Sequence, residues 1–174
     1  MGKTVYRELK MGDVDALVRF ANELVAEDTF VLIDKKMTKK FEKKWVLGQL
    51  KRIRKRDAVT LLAESDGRIV GNCGIRRKMR GDVRCGRIGH SADFGISVSK
   101  DYRGHGVGET LARKTIALAK KRLGIRLLTL THFANNKIAH GLYLKLGFRD
   151  CGKWPKALKF RGKYVDEVLM YKFV

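Results

Sequence analysis

The sequence predicts an α/β fold: a single domain in which about four helices cover one central mixed, mostly antiparallel sheet of about seven strands. Three observations predict it. Stretches that alternate every second residue and stretches with apolar residues every third or fourth position follow one another in the order β, α, α, β, β, β, α, β, α, β, β. The 174 residues hold no repeat, no low-complexity tract and one proline, Pro155, so nothing divides them and the domain is expected to run 1–174. A hydrophobic content of 44% suffices for one core of ordinary size.

Taken in order, VYRELK alternates as a first strand, and Asp13 stands where a cap belongs before Val14, Leu17, Ala21 and Leu24, which recur at helical spacing. In the next helical stretch Met37, Phe41 and Trp45 form one stripe and Val46, Leu50 and Ile53 a second. The two are offset by about a quarter turn at 3.6 residues per turn, with Gly48 near the join, which predicts two short helices or one kinked helix. AVTLLAE and RIVGNCGIRR, joined through Asp66-Gly67, form a hairpin, and SADFGISV is a further strand. Val107 to Leu123 is rich in good helix formers, and Gly124 stands at its C-terminal cap. IRLLTLTHF reads as a buried strand. Asn136 opens a last helix with Ile138, Ala139, Leu142, Tyr143 and Leu146 at helical spacing, Gly147 ends it, and LKFRGKYVDEVLMYKF closes the chain as a hairpin.

Charge is the outlying property. Against 18 Asp plus Glu stand 39 Lys plus Arg, a net charge of +21, which costs self-repulsion and points to a bound anion. Eleven basic residues lie in Lys35–Arg56 against the single acid Glu42, and a second cluster comprises Arg76, Arg77, Lys78, Arg80, Arg84 and Arg87. Such a face is either solvated or a docking surface for nucleic acid or an acidic protein, bound without sequence preference. Phe41 and Trp45 sit on the apolar stripe and are expected to be buried rather than stacked on bases. No 18-residue apolar window occurs, and MGKTVYRELK lacks the apolar core of a secretory signal, so a soluble, cytoplasmic protein with no membrane partner is expected. Cys73, Cys85 and Cys151 are odd in number and form no CxxC pair, which predicts reduced thiols, no disulfide framework and no metal site. Monomer and homodimer are both open.

DYRGHGVGE, Asp101 to Glu109, places Gly at 104, 106 and 108 between a strand and a helix. That junction aims unpaired backbone N–H groups and the positive end of the helix dipole at one spot, which suits phosphate. Arg103 adds a charged donor at the rim. A dinucleotide fingerprint begun at Gly104 would need Gly where Glu109 stands, and a P-loop would need Gly-Lys followed by Ser or Thr.

Arg103-x-x-Gly106-x-Gly108 resembles the acyl-coenzyme A pyrophosphate loop of the GNAT acetyltransferase superfamily. ADFGISV resembles that superfamily's fourth strand, NKIAHGLYLKLGF its Asn-x-x-Ala-x-x-Leu-Tyr signature, and GKYVDEVLM its last strand, so the likeness spans nearly the whole chain. The resemblance implies a GNAT-like fold with acetyl-CoA as cosubstrate and an amine as acceptor. It assigns cofactor binding to Ile96, Ser97 and Val98, to the loop Arg103, Gly104, His105, Gly106, Val107 and Gly108, and to Asn135 or Asn136. The backbone of 96–98 would pair with the pantetheine arm, Val98 N–H would stabilise the oxyanion, and Asn136 also suits a helix cap. Tyr143 occupies the general-acid position. Asp93 and His90 are the candidates for general base, on opposite faces by strict alternation, with a water chain as the third option. His105 is expected to face solvent. Two functions follow: an N-acetyltransferase acting by direct transfer in a ternary complex on a peptide or protein N-terminus or a small amine, and alternatively a basic coenzyme-A-binding or ribonucleoprotein-docking module on the same fold. The cationic surface speaks against a free polyamine acceptor and for an acidic peptide, protein or ribonucleoprotein.

Overall fold

The computed structural model describes residues 2–28, 30–79 and 86–174. Along the chain come β1 (Val5–Glu8), a 3₁₀ turn at Met11–Asp13, α1 (Val14–Ala26), α2 (Lys39–Arg54), β2 (Ala58–Ser65), β3 (Arg68–Arg77), β4 (Ser91–Val98), α3 (Val107–Leu123), β5 (Leu127–Phe133), α4 (Lys137–Lys145), β6 (Arg149–Phe160) and β7 (Lys163–Phe173). The seven strands form one sheet in the order β1-β2-β3-β4-β5-β7-β6. Every neighbouring pair is antiparallel except β4 and β5.

Alternation along the central strands feeds two apolar layers, one on each face of the sheet. On one face Cys73, Ile75, Phe94 and Leu128 pack with Leu111 of α3 and with Tyr143 and Phe148 at α4. On the other, Leu62 and Ile69 pack with Leu17, Phe20 and Leu24 of α1 and Val46 of α2. None of the helices of the described residues is long and apolar enough to cross a membrane.

Two local expectations are corrected. The stretch after residue 38 is one continuous helix, α2, capped by Thr38, whose Oγ1 accepts the Phe41 N–H at 3.3 Å. Because the helix opens at Lys39, Met37 lies outside it, where its N–H donates to Asn22 Oδ1 at 2.7 Å and its carbonyl accepts from Asn22 Nδ2 at 3.1 Å. The first apolar stripe therefore stays out of the core: Phe41 is 58% exposed, Trp45 is only partly buried against the α1/α2 layer, and the inward row starts at Glu42, 6% exposed, and Val46. Asp13 stands at the N-cap of α1 without bonding into it. Its carboxylate instead accepts the Lys10 N–H and pairs with Arg7, each at 2.8 Å. Arg80, Arg84 and Cys85 lie outside the described residues.

The feature that positions the site is the β4/β5 junction. These strands pair only at Ser91–Asp93 with Leu127–Thr129. Beyond that, β4 stays with β3 as far as Val98 and β5 with β7 as far as Phe133, so each half of the sheet twists with its own antiparallel partner and the strands diverge.

Candidate active site

The register of β3 and β4 decides which backbone groups are left over. Ser99 N–H donates to Val70 O at 2.9 Å and Lys78 N–H to Ser91 O at 2.8 Å, with Val98 opposite Gly71. Odd-numbered residues of β4 thus spend their peptide groups on β3, and those of Ile96 and Val98, beyond the last pairing of Asp93 with Thr129, face the gap toward β5. Ser97, expected to pair with a cofactor arm, directs its backbone toward β3. The Val98 carbonyl accepts Arg103 Nε at 2.8 Å, so the free group of Val98 is its N–H, the one expected to meet an oxyanion.

At the end of β4 the loop turns through Gly104 and Gly106, both at φ +77°, a left-handed conformation that side chains with a Cβ rarely take. Gly106 caps α3 with no side-chain hydrogen bond, and the first bond of the helix runs from Thr110 N–H to Gly106 O at 3.0 Å. The N–H groups of residues 106–109 therefore point outward unpaired within the helix, beside the positive dipole end. Glu109, the acid of that first turn, is neutralised by Lys145 at 2.7 Å and Arg113 at 3.0 Å. Gly108 sets α3 close to β4: a Cβ there would lie 3.4 Å from Val98 Cγ2. Val107 is in the core and His105 is exposed, its Nδ1 2.7 Å from Arg103 O. Arg103, on the cavity wall, grips both carboxylate oxygens of Glu27, the residue just past α1, at 2.5 and 2.7 Å.

Tyr143 comes to the gap from α4, with its ring edge-on to Phe94 at 6.2 Å and Phe148 at 6.1 Å. Burial pushes its phenol up to about 12, so it holds its proton throughout the physiological range. Beside it, at 5.5 Å between ring centres, lies His132 of β5, a residue the sequence did not single out. A carbonyl only accepts, so the 2.9 Å contact from His132 Nδ1 to Phe133 O fixes the proton on Nδ1. His132 Nε2 then accepts from His140 Nδ1 at 3.2 Å, and His140 Nε2 faces Asp150 at 3.8 Å. Burial lowers the His132 pKa and favours the neutral ring. Asn136 spends its side-chain oxygen on the Ala139 N–H at 3.1 Å, capping α4. Asn135 is exposed and off the cavity wall.

One cavity of about 1030 Å³ is lined from both faces of the sheet, reaching from the glycine loop and Tyr143 to α1 and α2. Asp93 is on its wall, accepting Thr129 Oγ1 at 3.1 Å with Lys78 Nζ at 3.6 Å. His90 is not: it precedes β4, is exposed, and contributes its carbonyl to Arg126 and Leu127 N–H at 2.8 and 3.2 Å. Glu42, Asn72 and Arg76 also line the cavity and were not anticipated as site residues. For Glu42 a signal existed, since it is the one acid on the row Glu42, Val46, Leu50, Ile53. No group of three metal-ligating side chains occurs among the described residues.

The profile of the Acetyltransferase (GNAT) family matches residues 19–148. The chain belongs to that family. It is 34% identical over 110 residues to the L-amino acid N-acetyltransferase AaaT of Escherichia coli K12, a match that spans 63% of this chain and 65% of that protein. The crystal structure of a GNAT-family acetyltransferase from Streptococcus pneumoniae superposes with a TM-score of 0.86 at 28% identity, covering 99% of this chain and 100% of the other. The structure of yncA from Salmonella typhimurium with its cofactor acetyl-CoA shares the fold, at a TM-score of 0.83 and 17% identity over 99% and 94% of the two chains. In this GNAT chain the gap beside β4 and the start of α3 are the two features on which the site is built.

Proposed function

We propose that the protein is an acetyl-CoA-dependent N-acetyltransferase acting by direct transfer, and that the acceptor is the amino group of an amino acid or of a peptide N-terminus. The observation that carries this reading is the juxtaposition of three things in one cavity: the unpaired backbone of Ile96 and Val98, the uncapped start of α3, and the Tyr143 phenol. An extended pantetheine arm fits the first as an added strand, and a pyrophosphate fits the second. The acetyl-CoA yncA structure and the L-amino acid relative support donor and acceptor class respectively.

Acetyl-CoA, when bound, supplies a thioester whose carbonyl carbon forms a bond to the amine nitrogen while the C–S bond breaks with its electron pair on sulfur. Asp93 takes up the proton that the ammonium must lose before it attacks, and passes it to water at the cavity mouth; the second proton, which the nitrogen sheds as the amide forms, goes through water to the departing sulfur. Val98 N–H meets the oxygen on which charge develops. Tyr143 O–H meets the departing sulfur. With the phenol at about 12 and a thiol near 8.5, outright proton transfer would be uphill by about 5 kcal/mol, so Tyr143 acts by hydrogen-bonding the thiolate. Arg76, next to Asp93 in the β3/β4 ladder, suits the carboxylate of an amino acid. The free thiols of Cys73 and Cys151 fit a reducing compartment, and we assign the protein to the cytoplasm.

Calorimetry with acetyl-CoA and thiol release on adding L-amino acids test the proposal together. Micromolar binding with acceptor-dependent thiol release is expected; a folded protein that does not bind acetyl-CoA overturns it.

A further inference from the structure

The outer surface of α2 is cationic, but the wall it presents to the cavity is not. The other acids on the cavity near α1 and α3 are neutralised: Glu27 by Arg103, Asp28 by Arg161 at 2.8 Å, Glu109 by Lys145. Glu167 on β7 and Glu42 on α2 have no such partner among the described residues. Glu42 is 94% buried and lines the cavity, and its carboxylate has no hydrogen-bond or ion-pair partner among the described residues. Burial raises its pKa, as expected for a carboxylate held without a cation.

The sheet forms the floor beside this wall. Val46, one turn along α2, packs in the same cluster as Leu62 of β2, and Leu62 stands opposite Asn72 of β3 on the same face of the sheet. Asn72 Oδ1 is fully buried with no partner. A carboxylate accepts hydrogen bonds and donates none, so the group that satisfies Glu42 is a cation with N–H donors. From this corner the sheet surface runs along Gly74 and Gly95, paired across the ladder without side chains, to Arg76 and Asp93. A trough without side chains thus joins the cation-seeking corner to the place where the amine is deprotonated.

We propose that Glu42 is a side-chain cation subsite, and that the acceptor is a basic L-amino acid, free or at a peptide N-terminus. Its α-amine lies at Asp93, its hydrocarbon stem in the trough, and its side-chain nitrogen on Glu42. The inference rests on the acetyltransferase reading and narrows its substrate. It also shows why repulsion by the outer surface does not govern the acceptor: the ligand meets acids once inside.

The test compares L-lysine with L-norleucine, which has the same stem without the ammonium. Wild-type kcat/KM for lysine is expected to exceed that for norleucine by about ten- to hundredfold, the usual worth of a charge-assisted contact, with acetylation on the α-nitrogen by fragment mass spectrometry. Glu42→Gln should erase that ratio through KM, leave acetyl-CoA affinity unchanged, and melt at or above wild type, because it removes an unpaired buried charge. Equal use of lysine and norleucine, a product acetylated on the side chain, a Glu42→Gln protein that melts lower, or acetyl-CoA binding with no amino acid acetylated each overturn the subsite. Failure to bind acetyl-CoA overturns the transferase reading itself and is read separately by calorimetry.

Discussion

On the α3 side of the sheet the groups we assign to the acetyl donor are backbone groups: those of Ile96 and Val98 and the N–H groups that open α3. On the α1/α2 side the groups we assign to the acceptor are side chains on the cavity wall from α2, β3 and β4: Glu42, Arg76 and Asp93. A backbone device needs only a contiguous run of suitable residues, glycines above all, and tolerates change everywhere else. A side-chain device needs particular residues at positions distant in sequence. The cofactor half therefore marks a family, and the acceptor half distinguishes its members.

The sharpest way to break this comparison is Gly106→Val. A β-branched residue at φ +77° costs on the order of 2 kcal/mol and shields N–H groups worth about 1.5 to 3 kcal/mol to a phosphate, so acetyl-CoA affinity should drop a hundredfold or more by calorimetry. Arg103→Ala should cost less, since that guanidinium is already held by Glu27 and Val98 O. If the arginine change proved the larger, the donor half would depend on side chains after all.

Tyr143→Phe comes next. Its kcat should fall about ten- to a hundredfold, the low end for a positioned acid, at unchanged acetyl-CoA affinity. Turnover at the wild-type rate would make Tyr143 a packing residue of the Phe94–Phe148 cluster.

The same variant has a signature in stability. The folded protein keeps the phenol's proton up to about pH 12, whereas the unfolded chain releases it near 10. Stability from this group is complete below pH 10 and is lost as pH rises through 12, by about 3 kcal/mol. Cys73, also pushed up to about 12 by burial, contributes alkaline loss in both proteins, so the readout is the difference between them. Denaturant unfolding at pH 9 and 11 should show the smaller alkaline loss in Tyr143→Phe; parallel curves would mean that the phenol is not buried as described.

The smallest expected effect on chemistry is that of reversing Lys39, Lys40, Lys43 and Lys44, all exposed on α2. Transfer to a small acceptor should stay within about twofold of wild type, while retention on RNA at low salt is lost. For the native protein, log affinity for a single strand should fall with log salt by about 0.7 per phosphate neutralised. If transfer fell with it, the outer face of α2 would belong to the acceptor half.

How far the sequence could be read follows the same division. Element order, the hairpins, the glycine loop and Tyr143 were legible because each is a local pattern of period or spacing. Glu42 was legible only as an oddity in a basic run, because what buries it is the start of α2 at Lys39 rather than at Met37, a choice made by Thr38 and by the Asn22 bonds to Met37. Asn72 and Arg76 sit in a strand whose two faces are both covered, so alternation could not show which face held a cavity. His132 and His140 are eight positions apart on different elements, and only the turn from β5 into α4 brings their rings to 5.2 Å. Arg103 fitted its motif by spacing, yet its direction was set by Glu27, seventy-six residues earlier.

The divergence of β4 from β5 also bears on self-association. Unpaired strand edges are where sheets recruit other chains, and proteins usually blunt them at the outer rim. Here the longest functional edge is internal: the free peptide groups of Ile96 and the free N–H of Val98 lie between β4 and β5, with α4 bringing Tyr143 to the gap. A folded neighbour's strand arrives with side chains on both faces and with a sheet behind it, and cannot enter a gap between two strands of one sheet. A single unbranched chain can. The fold thus keeps strand-like binding for a slender ligand while denying the same hydrogen bonds to another protein.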